Sequence, residues 1–136
     1  MTTMHPTQLS VAFMSLNVVH AYYARNESLF FSWLATYSTS LLYHFTKHGV
    51  HASKRLLQPI FFLDSAAATA LFGVSLYDMV GTKSHLAWMH LLYVLMYAAA
   101  YPFKVGVWGA DEKRAERWHA LFHWLTFVQT HLFLGL

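Results

Sequence analysis

Five long apolar segments, separated by short charged or turn-rich stretches, constrain this chain more than any other feature. Each has about the length of roughly 17–25 apolar residues that an α-helix needs to cross a bilayer. They run over residues 8–24, 29–46, 59–80, 85–107 and 118–136. Pro59 suits the first turn of a helix, where its missing N–H is not needed, so we expect the third helix to begin near it. The sequence thus predicts an all-α polytopic membrane protein, one domain of about five transmembrane helices over residues 1–136.

The composition supports a lipid environment and excludes several classes of protein. Of the 136 residues, 57% are hydrophobic and only 11% are charged, whereas a soluble domain carries roughly 25% charged residues. The chain has no cysteine, which excludes disulfides, Cys-ligated zinc and thiol nucleophiles. Its net charge of +3 is modest and the basic residues form no stripe, so we expect no nucleic-acid partner.

The basic residues are divided unequally between the two sides of the predicted bundle. Face A denotes the side with the N-terminus, the 47–56 loop and the 108–117 loop, and face B denotes the other side. Seven of the nine Lys and Arg residues lie on or beside face A: Lys47, Lys54, Arg55, Lys104, Lys113, Arg114 and Arg117. Because cytoplasmic loops are enriched in Lys and Arg, we predict that face A and the N-terminus are cytoplasmic, in a membrane whose organelle the sequence does not indicate.

Four ionisable residues interrupt the apolar segments near one membrane face. His44 lies near the end of the second segment, and Asp64 lies near the start of the third. His119 and His123 lie in the first two turns of the fifth segment. A charged side chain within a bilayer costs roughly 2.5–3.5 kcal/mol on insertion scales, so such residues need a role. Because all four positions have a similar depth, the sequence predicts a His/Asp cluster close to face A.

The residue types in this cluster are those of a hydrolytic metal site. His119 and His123 are four residues apart and share one face of a helix, so both can bind one ion. With His44 they give three imidazoles, which bind zinc and leave a position for a water whose pKa falls to about 7. Asp64 could act as general base or orient that water or an imidazole, and Ser40 could hydrogen-bond an oxyanion. Together these groups could hydrolyse an amide or an ester.

The same residues also have a plainer interpretation. A single His-x-x-x-His pair is common in a chain that has ten histidines. A serine within a helix usually bonds to its own backbone, as Ser38, Thr39 and Ser40 each could. Asp64 by itself could pair with a lysine or extend towards the interface. We assign no role to five other histidines: His20, His48, His51, His90 and His131.

The order and spacing of these residues resemble those of a known superfamily. Ser40-Leu-Leu-Tyr-His44, then Asp64 in Phe-Leu-Asp-Ser, then His119-Ala-Leu-Phe-His123 is similar to the pattern of the CREST superfamily. That group includes alkaline ceramidases, progestin and adiponectin receptors, GPI-lipid remodelling proteins and myomaker-like proteins, and the Tyr-His pair looks most like the last branch. The resemblance implies zinc bound by the three histidines, with Ser40 and Asp64 completing the site. Members usually have seven spans, whereas five are counted here; losing two preserves the direction of the last helix.

Three functions are compatible with this pattern. The leading hypothesis is a zinc-dependent intramembrane hydrolase of the ceramidase type, in which a metal-activated water attacks the carbonyl of a lipid amide or ester. The alternative is a non-catalytic protein stapled by zinc, acting in membrane organisation, in fusion or as a subunit of a larger assembly. A haem or di-iron protein is less favoured, because the histidine boxes of membrane desaturases contain adjacent histidines and this chain has none.

Overall fold

The computed structural model describes residues 4–49, 53–83, 85–92, 95 and 112–135. Regular structure within these ranges is entirely helical, in agreement with the predicted all-α class. The helices are α1 (Pro6–Tyr23), α2 (Glu27–Lys47), α3 (Lys54–Thr82), α4 (residues 85–92) and α5 (Glu112–Leu134). His51, Lys104 and most of the fourth apolar segment, which were discussed above, lie outside the described residues.

The connection between α1 and α2 is a tight turn at face B. Arg25 adopts a left-handed conformation with φ of 54°, which reverses the chain. Asn26 then caps α2, because its side chain accepts the N–H of Leu29 at 3.0 Å. The amide of Asn26 also donates to Asp78 near the end of α3 at 3.1 Å. The turn is therefore tied to the third helix as well as to the two helices that it joins.

Helix α3 begins earlier than the sequence predicts. Ser53 caps it by accepting the N–H of Leu56 at 3.3 Å, so the helix starts at Lys54. The prediction that this helix begins near Pro59 is wrong: the proline lies inside it, where it removes one backbone hydrogen bond. Among the described residues, the stretch Arg55–Thr82 is the one helix long and apolar enough to cross a membrane by length and composition.

Helix α1 lies between α2 and α5, and α3 packs on the other side of α2. Trp33 of α2 is fully buried between these helices. Its cluster of buried apolar side chains consists of Val11, Met14, Ala21, Leu29, Trp33 and Leu71. A second, smaller cluster near face B joins α3 to α4: Met79, Leu86 and Ala87. Phe133 of α5 packs against both clusters, so the apolar core lies between the middle of the bundle and face B.

Polar side chains fill much of the remaining interior while large apolar side chains cover the exterior. Every helix exposes large hydrophobic residues, for example Phe13, Phe31, Phe62, Trp88 and Leu125. The buried polar residues include Ser10, Asn17, Ser40, His44, Asp64, His90, Glu116, His123 and Gln129. A water-soluble domain usually has the opposite distribution, because burying polar groups is costly and large exposed apolar patches are rare.

Candidate metal centre

The three histidines that the sequence predicts as metal ligands lie together near face A. We call His44, His119 and His123 the inner site. The ring centroids of His44 are 5.0 Å from His119 and 5.3 Å from His123, and those of the two α5 histidines are 4.5 Å apart. One ligand atom from each ring lies within 4.8 Å of the others. Rotamer adjustments of the rings bring such atoms onto one ion, so this group could hold a metal.

The surroundings of His44 favour a metal over a packing role. The side chain is 2% exposed, and neither ring nitrogen has a hydrogen-bond partner among the described residues. An unsatisfied polar group in a protein interior costs about 1–3 kcal/mol, so two such atoms on one ring require an explanation. A bound cation would account for one of the two nitrogens, because it takes the lone pair of an imidazole nitrogen directly.

Ser10 of α1 holds His123 in its orientation, a role for Ser10 that was not predicted from the sequence. Its hydroxyl donates to the carbonyl of Thr7 at 3.0 Å and lies 3.0 Å from Nδ1 of His123. Since the hydroxyl proton is used by the carbonyl, Ser10 accepts the Nδ1–H and leaves Nε2 with its lone pair. Metal-binding histidines are commonly held in this way through their second nitrogen. The spacing of Thr7 and Ser10, three residues apart near face A, is the sequence signal that could have identified them.

Ser40 bonds across the helix interface, unlike its neighbours in the sequence. Ser38 and Thr39 donate to backbone carbonyls four residues earlier in α2, at 2.7 and 3.0 Å, as the plainer interpretation predicts. The Ser40 hydroxyl instead donates to Oδ1 of Asp64 on α3, and both side chains are buried. Thr39 makes a second, longer contact of 3.3 Å with the same oxygen. The structure therefore brings together the two residues that the sequence predicts as catalytic.

The Ser40–Asp64 pair lies beside the inner site and not within its ligand set. Ser40 and His44 are four residues apart on α2, so their side chains lie one above the other. Among the described residues, Asp64 does not belong to the group whose ligand atoms lie within 4.8 Å of one another. This placement suits a residue that handles protons next to a metal better than it suits a ligand.

A second polar group, which we call the outer cluster, lies nearer the edge of the bundle. It consists of His5, His48 and Glu116. Lys47 donates to Oε1 of Glu116, a carboxylate that is 6% exposed. Burial by itself would raise the pKa of Glu116, but the hydrogen bond and charge of Lys47, with the nearby His48 and His5, hold that pKa below its usual value. The sequence placed His48 in a loop, whereas it caps the C-terminus of α2.

Three further histidines contact side chains of other helices, away from both clusters. His90 of α4 lies 2.8 Å from Oε1 of Gln129, whose amide donates to the carbonyl of Leu86 at 2.9 Å, so α4 is tied to α5. The rings of His20 and His131 lie 4.9 Å apart towards face B.

The chain matches no family model, no curated protein and no solved structure. The resemblance to the CREST superfamily accordingly rests on the five residues that carry it and on their spacing.

Proposed function

We propose that this protein spans a membrane, binds zinc at the inner site and hydrolyses an amide or ester bond of a membrane lipid. The observation that carries the proposal is the convergence of three imidazoles from two helices: His44 and His123 are buried, His119 is partly buried, and neither nitrogen of His44 has a hydrogen bond among the described residues. The carboxylate and hydroxyl beside them supply the remaining groups of a hydrolytic site. The resemblance to the CREST superfamily supports the same reading.

The distribution of apolar side chains supports the membrane part of the proposal. Helix α3 has the length and composition of a transmembrane span. Large apolar side chains are exposed on the other helices too, and polar groups are concentrated inside. With lipid as the solvent, the exposed apolar side chains carry no penalty, because they are not in contact with water. We place the N-terminus and the inner site on the cytoplasmic side, on the basis of the excess of Lys and Arg at face A.

Zinc fits the donor set of the inner site. Three imidazoles are a common ligand set for catalytic zinc and leave a fourth position open. Zinc held there would lower the pKa of a water to about 7 and polarise a carbonyl group. The Ser10 hydroxyl keeps His123 in the tautomer that this requires.

Asp64 and Ser40 perform the proton chemistry in this proposal. Oδ1 of Asp64 takes a proton from the water that attacks the lipid carbonyl and returns it to the leaving nitrogen or oxygen, which completes the hydrolysis. The Ser40 hydroxyl now donates to Asp64. When Asp64 is protonated, the Ser40 hydroxyl can turn to the developing oxyanion and donate to it.

A lipid can approach this site from the side of the bundle. A surface groove between α2 and α3 is lined by Tyr43, Leu57, Gln58 and Phe61. Tyr43, which lines the groove, precedes His44 of the inner site in α2, and the two rings lie 5.0 Å apart. Its mostly apolar walls suit an acyl chain, and a substrate of this kind would enter laterally from the bilayer.

The test compares two aspartates of the same helix. The full chain is purified in detergent, its metals are measured by mass spectrometry, and vesicles containing a fluorescent ceramide or phospholipid are supplied as substrate. We expect Asp64→Asn to retain zinc and to lose at least about 100-fold in hydrolysis, the contribution typical of a general base. Asp78→Asn is the control, because Asp78 bonds to Asn26 at face B. Equal activity of the two variants would contradict the assignment of Asp64.

A second candidate function keeps the metal and omits the chemistry. The inner site joins α2 to α5, and Ser10 adds α1, so an ion there would staple three helices of a small bundle. Such a protein could organise membranes or form part of a larger assembly. Stoichiometric zinc without turnover of any lipid, together with a large loss of thermal stability on chelation, would favour this function. Iron or a haem absorption band in the purified protein would contradict both.

A further inference from the structure

The outer cluster lies one helical turn from the inner site, on the same helices. His48 follows His44 by four residues in α2, and Glu116 precedes His119 by three residues in α5. Residues with these spacings lie on one face of a helix, so the two groups are stacked along the bundle axis. The outer cluster is the one nearer to face A, because α2 ends and α5 begins there.

Four potential donor atoms of the outer cluster lie close together, and the stacked rings of His5 and His48, with centroids 4.0 Å apart, need only turn for both nitrogens to face one ion. Thr7 Oγ1 lies 2.9 Å from His5 Nδ1, 3.3 Å from His48 Nε2 and 3.2 Å from Glu116 Oε2. Glu116 Oε2 lies 3.5 Å from His5 Nδ1 and 3.7 Å from His48 Nε2. These five separations scatter about the edge of roughly 3.3 Å that a tetrahedral ion with bonds of 2.0–2.1 Å imposes on its ligands.

Without an ion, the acceptors of this cluster share protons from Thr7. His5 caps α1, and the one lone pair of its Nδ1 accepts the N–H of Thr7 in a long contact of 3.5 Å. The Thr7 hydroxyl has one proton but faces two acceptors, His5 Nδ1 and Glu116 Oε2. A cation among these atoms would replace both of these hydrogen bonds with direct bonds to His5 Nδ1 and Glu116 Oε2.

We propose that the outer cluster is a second site for a divalent cation of the zinc type. Its ligands are His5 Nδ1, His48 Nε2 and Glu116 Oε2, and the Thr7 hydroxyl lies beside them. Two imidazoles and one carboxylate are a donor set that zinc uses in proteins. This site is independent of the proposed hydrolase activity and of the inner site's metal.

Exposure and charge distinguish the outer site from the inner one. The side chains of His5 and His48 are 31% and 21% exposed, so an ion from the aqueous phase reaches them without crossing the core. Lys47 holds the other oxygen of Glu116, and its positive charge opposes a cation. The outer site should accordingly bind zinc more weakly than the inner site and exchange it faster.

The experiment counts zinc in the full-length protein in detergent. The parent, stripped with chelator, is dialysed against buffered Zn²⁺ from nanomolar to high micromolar, and bound zinc is measured by mass spectrometry. We expect two equivalents at saturation. His5→Ala/His48→Ala should lose the weaker equivalent and retain the tighter one, whereas His119→Ala/His123→Ala should do the opposite. His85→Ala, which removes an exposed histidine of α4, is the matched control and should retain both.

Two single substitutions separate metal binding from a fold defect. Glu116→Gln removes the anionic ligand and should weaken the second equivalent by at least about tenfold, the usual scale for a lost interaction of 1.4 kcal/mol. Lys47→Met removes the opposing charge and should tighten it several-fold, a gain that an unfolded protein cannot show. A parent that saturates at one equivalent, sensitive only to the inner histidines, would overturn the outer site and leave the proposed function standing. A parent that saturates at one equivalent, sensitive only to His5 and His48, would overturn the inner site and leave the outer site standing.

Discussion

The inner site and the outer cluster share α2 and α5 and lie one turn apart, yet they differ in the burial and the hydrogen bonding of their polar atoms. In the inner site, His44 is buried and its nitrogens have no hydrogen bond among the described residues. In the outer cluster, His5 and His48 are partly exposed and contact Thr7, while Glu116 is bonded by Lys47. The difference teaches that the protein can do without an ion in the outer cluster, whereas the inner site is costly unless one is bound.

The sharpest test of this comparison substitutes two histidines of α2 that differ by one turn. We expect His44→Ala to abolish binding of the tighter zinc equivalent and with it lipid hydrolysis, because the site loses a third of its ligands. His48→Ala should leave both unchanged and affect only the weaker equivalent. Zinc titration and a lipid-hydrolysis assay on the same preparations measure this. Similar losses in both variants would mean that the two clusters act as one site.

A smaller effect is expected from the hydroxyl behind His123. Ser10→Ala removes the acceptor for Nδ1–H and should weaken the tighter zinc equivalent by about 10–100-fold, the usual result of removing such a support. Ser15→Ala is the control, because the Ser15 hydroxyl donates within α1, to the carbonyl of Ala12 at 2.7 Å. Competition with a chelator of known affinity measures both constants. Unchanged affinity in Ser10→Ala would show that packing alone orients the ring.

A substitution at His44 that abolishes metal binding should make the metal-free protein more stable. His44→Phe replaces two unsatisfied nitrogens by carbon and should stabilise the chelator-treated protein by about 1–2 kcal/mol. The equivalent change at His48, which contacts Thr7, should not stabilise it. Thermal unfolding in detergent with excess chelator gives the comparison, and added zinc should raise the midpoint of the parent more than that of His44→Phe. A destabilised His44→Phe variant would mean that the imidazole has a partner other than a metal.

The smallest expected effect concerns the pH dependence of the outer cluster without metal. Because the pKa of Glu116 is lowered in the folded protein, its contribution to stability is present above the pKa of an unfolded glutamate, about 4.3. That contribution is lost as the pH falls through the lower, folded value. Glu116→Gln should therefore be less stable than the parent by about 1 kcal/mol or less near neutral pH, and the gap should close in acid. A gap independent of pH would point to packing instead of charge.

The inner site was accessible to sequence reasoning because its geometry is mostly local. The spacing of His119 and His123 places them on one helical face, and the depth of His44 places it at the same level. The outer cluster was not predicted, because it depends on how α1 packs against α5. Thr7 and Glu116, which meet there, are 109 positions apart, and no spacing within a helix encodes that contact.

The start of α3 was mispredicted for a related reason. Pro59 is a good first-turn residue, but Ser53 provides a side-chain cap that begins the helix earlier. The preference of Pro59 for a first turn did not decide where the helix starts, because the cap at Ser53 lies six residues before it. The same extension carries α3 beyond the apolar segment at face A, where Leu57 and Gln58 then line the groove near Tyr43.

The stacking of the two clusters limits which insertions and deletions this chain can accept. One residue added between His44 and His48, or between Glu116 and His119, would turn everything on one side of it by about 100° around the helix axis. One cluster would then leave the interior while the other stayed. Lengthening the connection between α2 and α3 imposes no such rotation. Across diverged copies of this protein, we therefore expect length variation in that connection and none within these two four- and three-residue intervals.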